Sequence, residues 1–173
     1  MSSTDLNKRF EFRDILAVEA DQASIIEQIC FPPEEACTDA MMRERTIKVP
    51  DLFLVAVDRE SGKIAGFLNG IATNEDSFRD EFFADAQLHD PNGSYVMLLG
   101  LDVLPEYRGK GLAREIVSRY LKREHERGRK EVILTCLDAK VAMYQKMGFC
   151  DNGIANSSWG GEQWHEMRYA FHI

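Results

Sequence analysis

The chain has 173 residues, 45% of them hydrophobic and 29% charged. That is the composition of one folded domain, which buries about two-thirds of its unfolded surface without disulfide or metal staples. A formal net charge of −8 repels phosphate backbones, which excludes nucleic acid as an expected partner, and it favours cationic small molecules.

Residues 1–10 lack the apolar stretch of a secretory signal, and no apolar run nears the roughly 20 residues that span a bilayer. A cytoplasmic protein without membrane contact is expected, monomer or homodimer, with one domain over residues 1–173 and a flexible extension over 1–9. Residues 10–18 read as a first strand. A helix should follow, opened by Asp21, whose carboxylate can cap free amide groups, with Ile25, Ile26 and Ile29 at helical spacing. Phe31-Pro32-Pro33 stops it, because proline removes an amide donor and restricts the residue before it. Residues 38–46 read as a second helix, then 52–57 and 64–72 as a hairpin turning at Ser61-Gly62.

Residues 74–94 are polar and irregular, with Asp90-Pro91-Asn92-Gly93 as turn chemistry. Long loops of this kind often border a site. The near-continuous apolar run 95–103 predicts a strand buried on both faces, interrupted by Gly100. Residues 111–127 predict a long helix with Leu112, Ile116, Val117, Tyr120 and Leu121 on one stripe, ended by Gly128. A strand over 132–137, a short helix over 139–147 and a final hairpin over 150–173, with Trp159-Gly160-Gly161 near its turn, complete the chain. The order specifies an α+β or mixed α/β fold with a strand-helix-strand unit in its middle.

Cys30, Cys37, Cys136 and Cys150 form no C-x-x-C pair, and no histidine stands at zinc-ligand spacing. They read as free thiols, and no metal is expected. Cys136 sits in a strand pattern, where cysteine is usually a small core residue.

The informative stretch is residues 101–114. Leu101-Asp102-Val103 ends a buried strand, Pro105 turns the chain, and Arg108-Gly109-Lys110-Gly111 opens the helix that continues with Leu112-Ala113-Arg114. Unpaired amides and the positive end of the helix dipole bind anions, and glycines let those amides converge. A pyrophosphate is the natural ligand. Neither the G-x-x-x-x-G-K-[ST] loop nor the G-x-G-x-x-G fingerprint is present. Instead Arg108-x-x-Gly111-x-Ala113 resembles the pyrophosphate motif of the GNAT superfamily of N-acetyltransferases. Tyr144-Gln-Lys-Met-Gly-Phe149 resembles the Tyr-x-x-x-Gly-Phe ending of the same superfamily. Within it, Cys136-Leu-Asp-Ala139, Phe31-Pro-Pro-Glu-Glu-Ala36 and Glu166-Met167 are most similar to the arylalkylamine N-acetyltransferase group.

That resemblance implies a twisted mixed sheet of about seven strands flanked by about four helices, and acetyl-coenzyme A as co-substrate. It implies coenzyme contacts at Leu101, Asp102, Val103, Arg108, Gly109, Lys110, Gly111, Leu112, Ala113, Arg114, Asp138 and Tyr144. The Leu101 N–H, beside a bulge at Gly100, is expected to face the thioester oxygen, and Tyr144 to protonate the leaving thiolate. Glu34 or Glu35 is expected to accept the amine's proton through water. Asp102 is a further candidate that strand alternation points away. Phe31, Pro32 and Trp159 are expected to wall the acceptor, with Phe31 and Trp164 divided between that wall and the core. One departure stands out: the two histidines that vertebrate members place before the pyrophosphate loop are Met97 and Leu99 here. The implied activity is acetyl transfer to a small primary amine. Acetylation of a protein lysine or N-terminus, and coenzyme A sensing without turnover, are the alternatives.

Overall fold

A computed structural model describes residues 1–172. Seven strands form one sheet in the order β1-β2-β3-β4-β5-β7-β6. They are β1 (Phe10–Asp14), β2 (Phe53–Asp58), β3 (Ile64–Thr73), β4 (Tyr95–Val103), β5 (Glu131–Cys136), β6 (Cys150–Ile154) and β7 (His165–Ala170). Only β4 and β5 run parallel, because α5 (Leu112–Glu126) crosses over between them. The mixed sheet is the expected one.

Six α-helices stand among the described residues, two more than expected: α1 (Ser3–Arg9), α2 (Ala20–Cys30), α3 (Asp39–Lys48), α4 (Glu81–Ala84), α5 and α6 (Val141–Lys146). In place of a flexible extension over 1–9, Ser2 and Asp5 close a capping box on α1, and Leu6 is buried. The first strand ends at Asp14, four residues before expected, and a single 3₁₀ turn over Ala17–Glu19 leads into α2. Asp21 does not cap α2; it lies in the first turn, and Glu19 precedes the helix. No described helix is long and apolar enough to cross a membrane.

Each face of the sheet is covered. On one, Leu112, Ile116, Val117, Tyr120 and Leu121 of α5 pack on Leu54, Leu68 and Val96, as the stripe predicts. On the other, Ala23 and Ile26 of α2 and Met42 of α3 pack on Phe53, Val55 and Phe67. The α2 stripe departs from expectation. Ile25 and Ile29 are 59% and 54% exposed, and the inward residues are Ala20, Ala23, Ser24, Ile26 and Glu27.

Two irregularities of β4 open the sheet at its centre. Its antiparallel register against β3 slips: Asn69 faces Gly100 but Gly70 faces Leu98, so Leu99 is an extra residue, a β-bulge. The slip reverses the alternation of side chains. Met97 and Leu99 face the α2/α3 side before it, and Gly100 and Asp102 face that same side after it. On the other flank, β4 pairs with β5 only over Tyr95–Met97 and Glu131–Ile133. Beyond those residues the two strands part.

Candidate active site

A cavity of about 460 Å³ fills the gap between β4 and β5. At one end it is lined by Leu101, Val103, Arg108 and Ala113, and at the other by Phe31, Pro32, Glu35, Phe83, Trp159 and Trp164. Tyr144 of α6 and Cys136 of β5 border the middle. One continuous hollow therefore joins the helix start of α5 to an aromatic chamber. Its volume and apolar lining with few polar groups are those of a small-molecule site.

The helix start is built on two left-handed residues, Gly109 at φ +78° and Gly111 at φ +85°. A side chain at either position would be strained, and glycine leaves the amides open. Gly111 carries no capping side chain, so the first amides of α5 keep their capacity to hold an anion. Arg108 is exposed but tethered by its guanidinium. Its Nε donates to the Val103 carbonyl at 2.9 Å and its Nη2 lies 3.7 Å from Cys30 Sγ. It thereby pins the strand end to the loop.

Burial pushes the Tyr144 hydroxyl well above the usual phenol range, with Cys136 and Asp102 adding to the rise. The group therefore keeps its proton at neutral pH. Burial likewise raises the Cys136 thiol to about 11, so it stays a thiol; a cysteine nucleophile, by contrast, would be a thiolate.

Three loops close the chamber. Trp159 Nε1 donates to the Glu35 carbonyl at 2.9 Å, and Trp164 Nε1 donates to the Trp159 carbonyl at 2.8 Å. The Trp159 ring lies 4.7 Å from that of Phe83. Arg45 Nη2 holds the Phe83 carbonyl at 2.7 Å, and Ser158 N–H donates to Asp80 at 3.1 Å. The residue 74–94 segment is thus a wall of the chamber. Burial raises the Glu35 carboxyl above its ordinary range, with Glu162 and Glu34 adding to the effect.

The cavity brings together Phe31, Pro32, Glu35, Leu101, Val103, Arg108, Ala113, Tyr144 and Trp159 from the expected residues. Glu34, Gly109, Gly111 and Arg114 are exposed and outside the lining, and the half-buried Lys110 is outside it too. Leu112 is 2% exposed in the core. Asp138 does not meet the cavity: its side chain is 93% exposed and lies 3.2 Å from His165. Asp102 is fully buried behind Gly100, also off the lining. Glu27, Cys30, Phe83, Lys140 and Met143 line the cavity without having been anticipated. For Glu27 a signal existed: Ala20, Ala23, Ser24 and Glu27 stand at i, i+3, i+4 and i+7, the spacing of one helix face.

The acetyltransferase (GNAT) family matches residues 20–149. No curated protein sequence matches the chain. Among solved structures, the loading GNATL domain of CurA from Lyngbya majuscula is similar with a TM-score of 0.80 and 14% identity, covering 93% of this chain and 97% of that one. The ribosomal-protein-S18-alanine N-acetyltransferase of Escherichia coli has a TM-score of 0.70 and 16% identity, covering 95% of each chain. A phosphinothricin acetyltransferase of Sinorhizobium meliloti, solved with AcCoA, has a TM-score of 0.67 and 18% identity, covering 94% of this chain and 89% of that one.

Proposed function

Starting from the fact that the chain belongs to the acetyltransferase (GNAT) family, we propose that it transfers acetyl from acetyl-coenzyme A to the primary amine of a small molecule, an arylalkylamine or a polyamine. The observation that carries this reading is the single hollow running from the α5 start, past the Tyr144 side chain, to a chamber walled by Phe31, Phe83, Trp159 and Trp164. The residues fit the co-substrate. The parted β4 edge can pair with an extended pantetheine arm as an added strand would. The open amides at Gly109–Ala113 suit its pyrophosphate.

When bound, the thioester supplies an already activated acyl group, so direct attack by a positioned amine suffices. The C–N bond forms and the C–S bond breaks, with the electron pair leaving on sulfur. The Leu101 N–H, just past the bulge, serves the carbonyl oxygen as it gains charge, a contribution worth ~10²–10³ in rate. Tyr144 donates to the departing sulfur. Its raised pKa makes this a hydrogen bond first and full transfer second, since a thiol titrates near ~8.5. Glu35 and the net charge of −8 draw an ammonium toward the chamber.

The Trp159–Glu35 and Trp159–Phe83 contacts cover the acceptor end, which suits a compact amine better than a peptide. Free thiol release is the test, with acetyl-coenzyme A and a panel of tryptamine, phenethylamine, spermidine and a lysine peptide. Release with the small amines supports the reading. Release with the peptide alone replaces it with protein acetylation, and coenzyme binding without release replaces it with a sensor.

A further inference from the structure

Beneath the acceptor chamber lies an acid pair to which acetyl transfer by Leu101, Tyr144 and Glu35 gives no task. Glu27 is 3% exposed and lines the cavity. Its Oε2 accepts the Cys37 N–H at 3.1 Å, while its Oε1 has no partner among the described residues. Asp102 is 0% exposed, and neither of its oxygens has a partner among the described residues. Both carboxyls converge behind the bulge: a Cβ built on Gly100 would stand 3.2 Å from Asp102 Oδ1 and 3.4 Å from Glu27 Oε1. A side chain at Gly100 would crowd both.

Three unpartnered buried oxygens call for a proton donor. Two carboxylates cannot bond to each other, but a carboxylic acid and a carboxylate can. Burial and the Glu27 charge both push Asp102 well above the usual carboxylate range, so Asp102 holds a proton that it can share with Glu27. The nearby cation is Arg45 of α3, 3% exposed, which balances one negative charge; its Nη1 and Nη2 donate to Asn69 and Phe83, and its Nε has no partner among the described residues. Cys30 and Cys37 face the pair with thiols that burial keeps protonated, Tyr144 faces it across the cavity, and Arg108 stands beyond Cys30. Glu35, also on the cavity lining, is partly open to water.

We propose that Glu27 is the group that takes the acceptor ammonium's proton, and that Asp102 is a positioning residue that steadies the Glu27 carboxylate through one shared proton. This rests on the amine acetyltransferase reading. The step balances. An N–H bond of the ammonium breaks, its electron pair stays on nitrogen, and an O–H bond forms at Glu27 Oε1. The amine's second proton, lost on acylation, replaces the one delivered to sulfur. The acid pair passes from one negative charge to none and later returns its proton to water.

The test combines pH–rate profiles with infrared spectroscopy on the full chain. Glu27→Gln should lower kcat/KM for phenethylamine ~100-fold at neutral pH and replace the wild-type acidic limb with a rise that continues toward the amine's own pKa near ~10. Asp102→Leu, which deletes the donor, should move the acidic limb to higher pH, and Asp102→Asn, which keeps a donor, should restore it. The wild type should show the carbonyl band of a protonated carboxylic acid at neutral pH, and Asp102→Asn should lose it. Wild-type rates in Glu27→Gln, loss of the limb in Glu35→Gln instead, or turnover without that band overturns the proposal and leaves the acetyltransferase reading standing. The band present with no amine turned over overturns that reading, and the task of Glu27 with it.

Discussion

Two buried acidic clusters sit at opposite ends of β4, and they are built on opposite principles. At the strand's start, Glu124 of α5 is 0% exposed, and each of its oxygens is held: Arg129 Nε donates at 3.0 Å and Arg127 Nη1 at 2.8 Å. Arg129 also holds the Gly93 and Pro91 carbonyls at 2.6 and 3.0 Å, locking the turn that feeds the strand. At the strand's end, Glu27 and Asp102 are as deeply buried and nearly bare of donors. Burial alone therefore does not identify a working carboxyl. A fully satisfied group secures structure, whereas an unsatisfied one beside a cavity retains capacity for a proton.

Changing each cluster in turn should separate these roles. Glu124→Gln should cost about 3–5 kcal/mol in urea unfolding by leaving Arg129 buried without its charge partner, while coenzyme affinity of the folded protein holds; an equal loss of affinity would break the distinction. Next in size, Tyr144→Phe should cut turnover ~100-fold, about 2.7 kcal/mol of barrier, with coenzyme affinity barely moved. Unchanged turnover would remove Tyr144 from the chemistry.

Asp102→Asn should act on stability with the opposite sign to Glu124→Gln. The folded pKa of Asp102 lies above its unfolded value, so the folded state binds more protons and wild-type stability falls as pH rises above the ordinary carboxylate range. The variant, with no proton to lose, should show a flatter profile and be the more stable of the two at neutral pH. A third carboxylate, at the end of β2, sets the smallest effect. Asp58 is lowered to about 2, first by the Arg9 hydrogen bond, then by the Tyr107 hydroxyl at 2.7 Å. Its contribution should be intact above about 4 and vanish as pH falls through about 2. Asp58→Asn should flatten that acid arm in urea titrations between those limits.

Much of this molecule is legible in its sequence, for physical reasons. The α5 stripe is read correctly because five apolar residues at helical spacing leave one way to bury them. The β4 boundaries, Tyr95 and Val103, follow from a continuous apolar run. The misreadings are equally specific. In α2 Ile25 and Ile29 point outward, since apart from Ile26 the inward stripe is made of alanine, serine and the Glu27 carboxyl, which hydrophobicity does not flag. Counting by twos along β4 separates Asp102 from the side of Met97 and Leu99. The extra residue is Leu99, one position before the bulge expected at Gly100, and it reverses that parity; the glycine signals a bulge nearby but not which residue is the extra one. Asp138 matches a motif yet lies in solvent, because sequence spacing fixes an element but not which way its first side chain leaves it. The helical turn at Ser3–Arg9 rests on Ser2 and Asp5, a capping box too short to outweigh a polar composition.

A structure determined with coenzyme A bound addresses the central claim most directly, because the claim concerns one hollow serving both donor and acceptor. The account predicts the pyrophosphate on the amides of Gly109–Ala113, the pantetheine arm along the free edge of β4 at Leu101 and Val103, and the sulfur within hydrogen-bonding reach of the Tyr144 hydroxyl, facing the Trp159 chamber. A coenzyme seated elsewhere, or a sulfur out of reach of that hydroxyl, would contradict it.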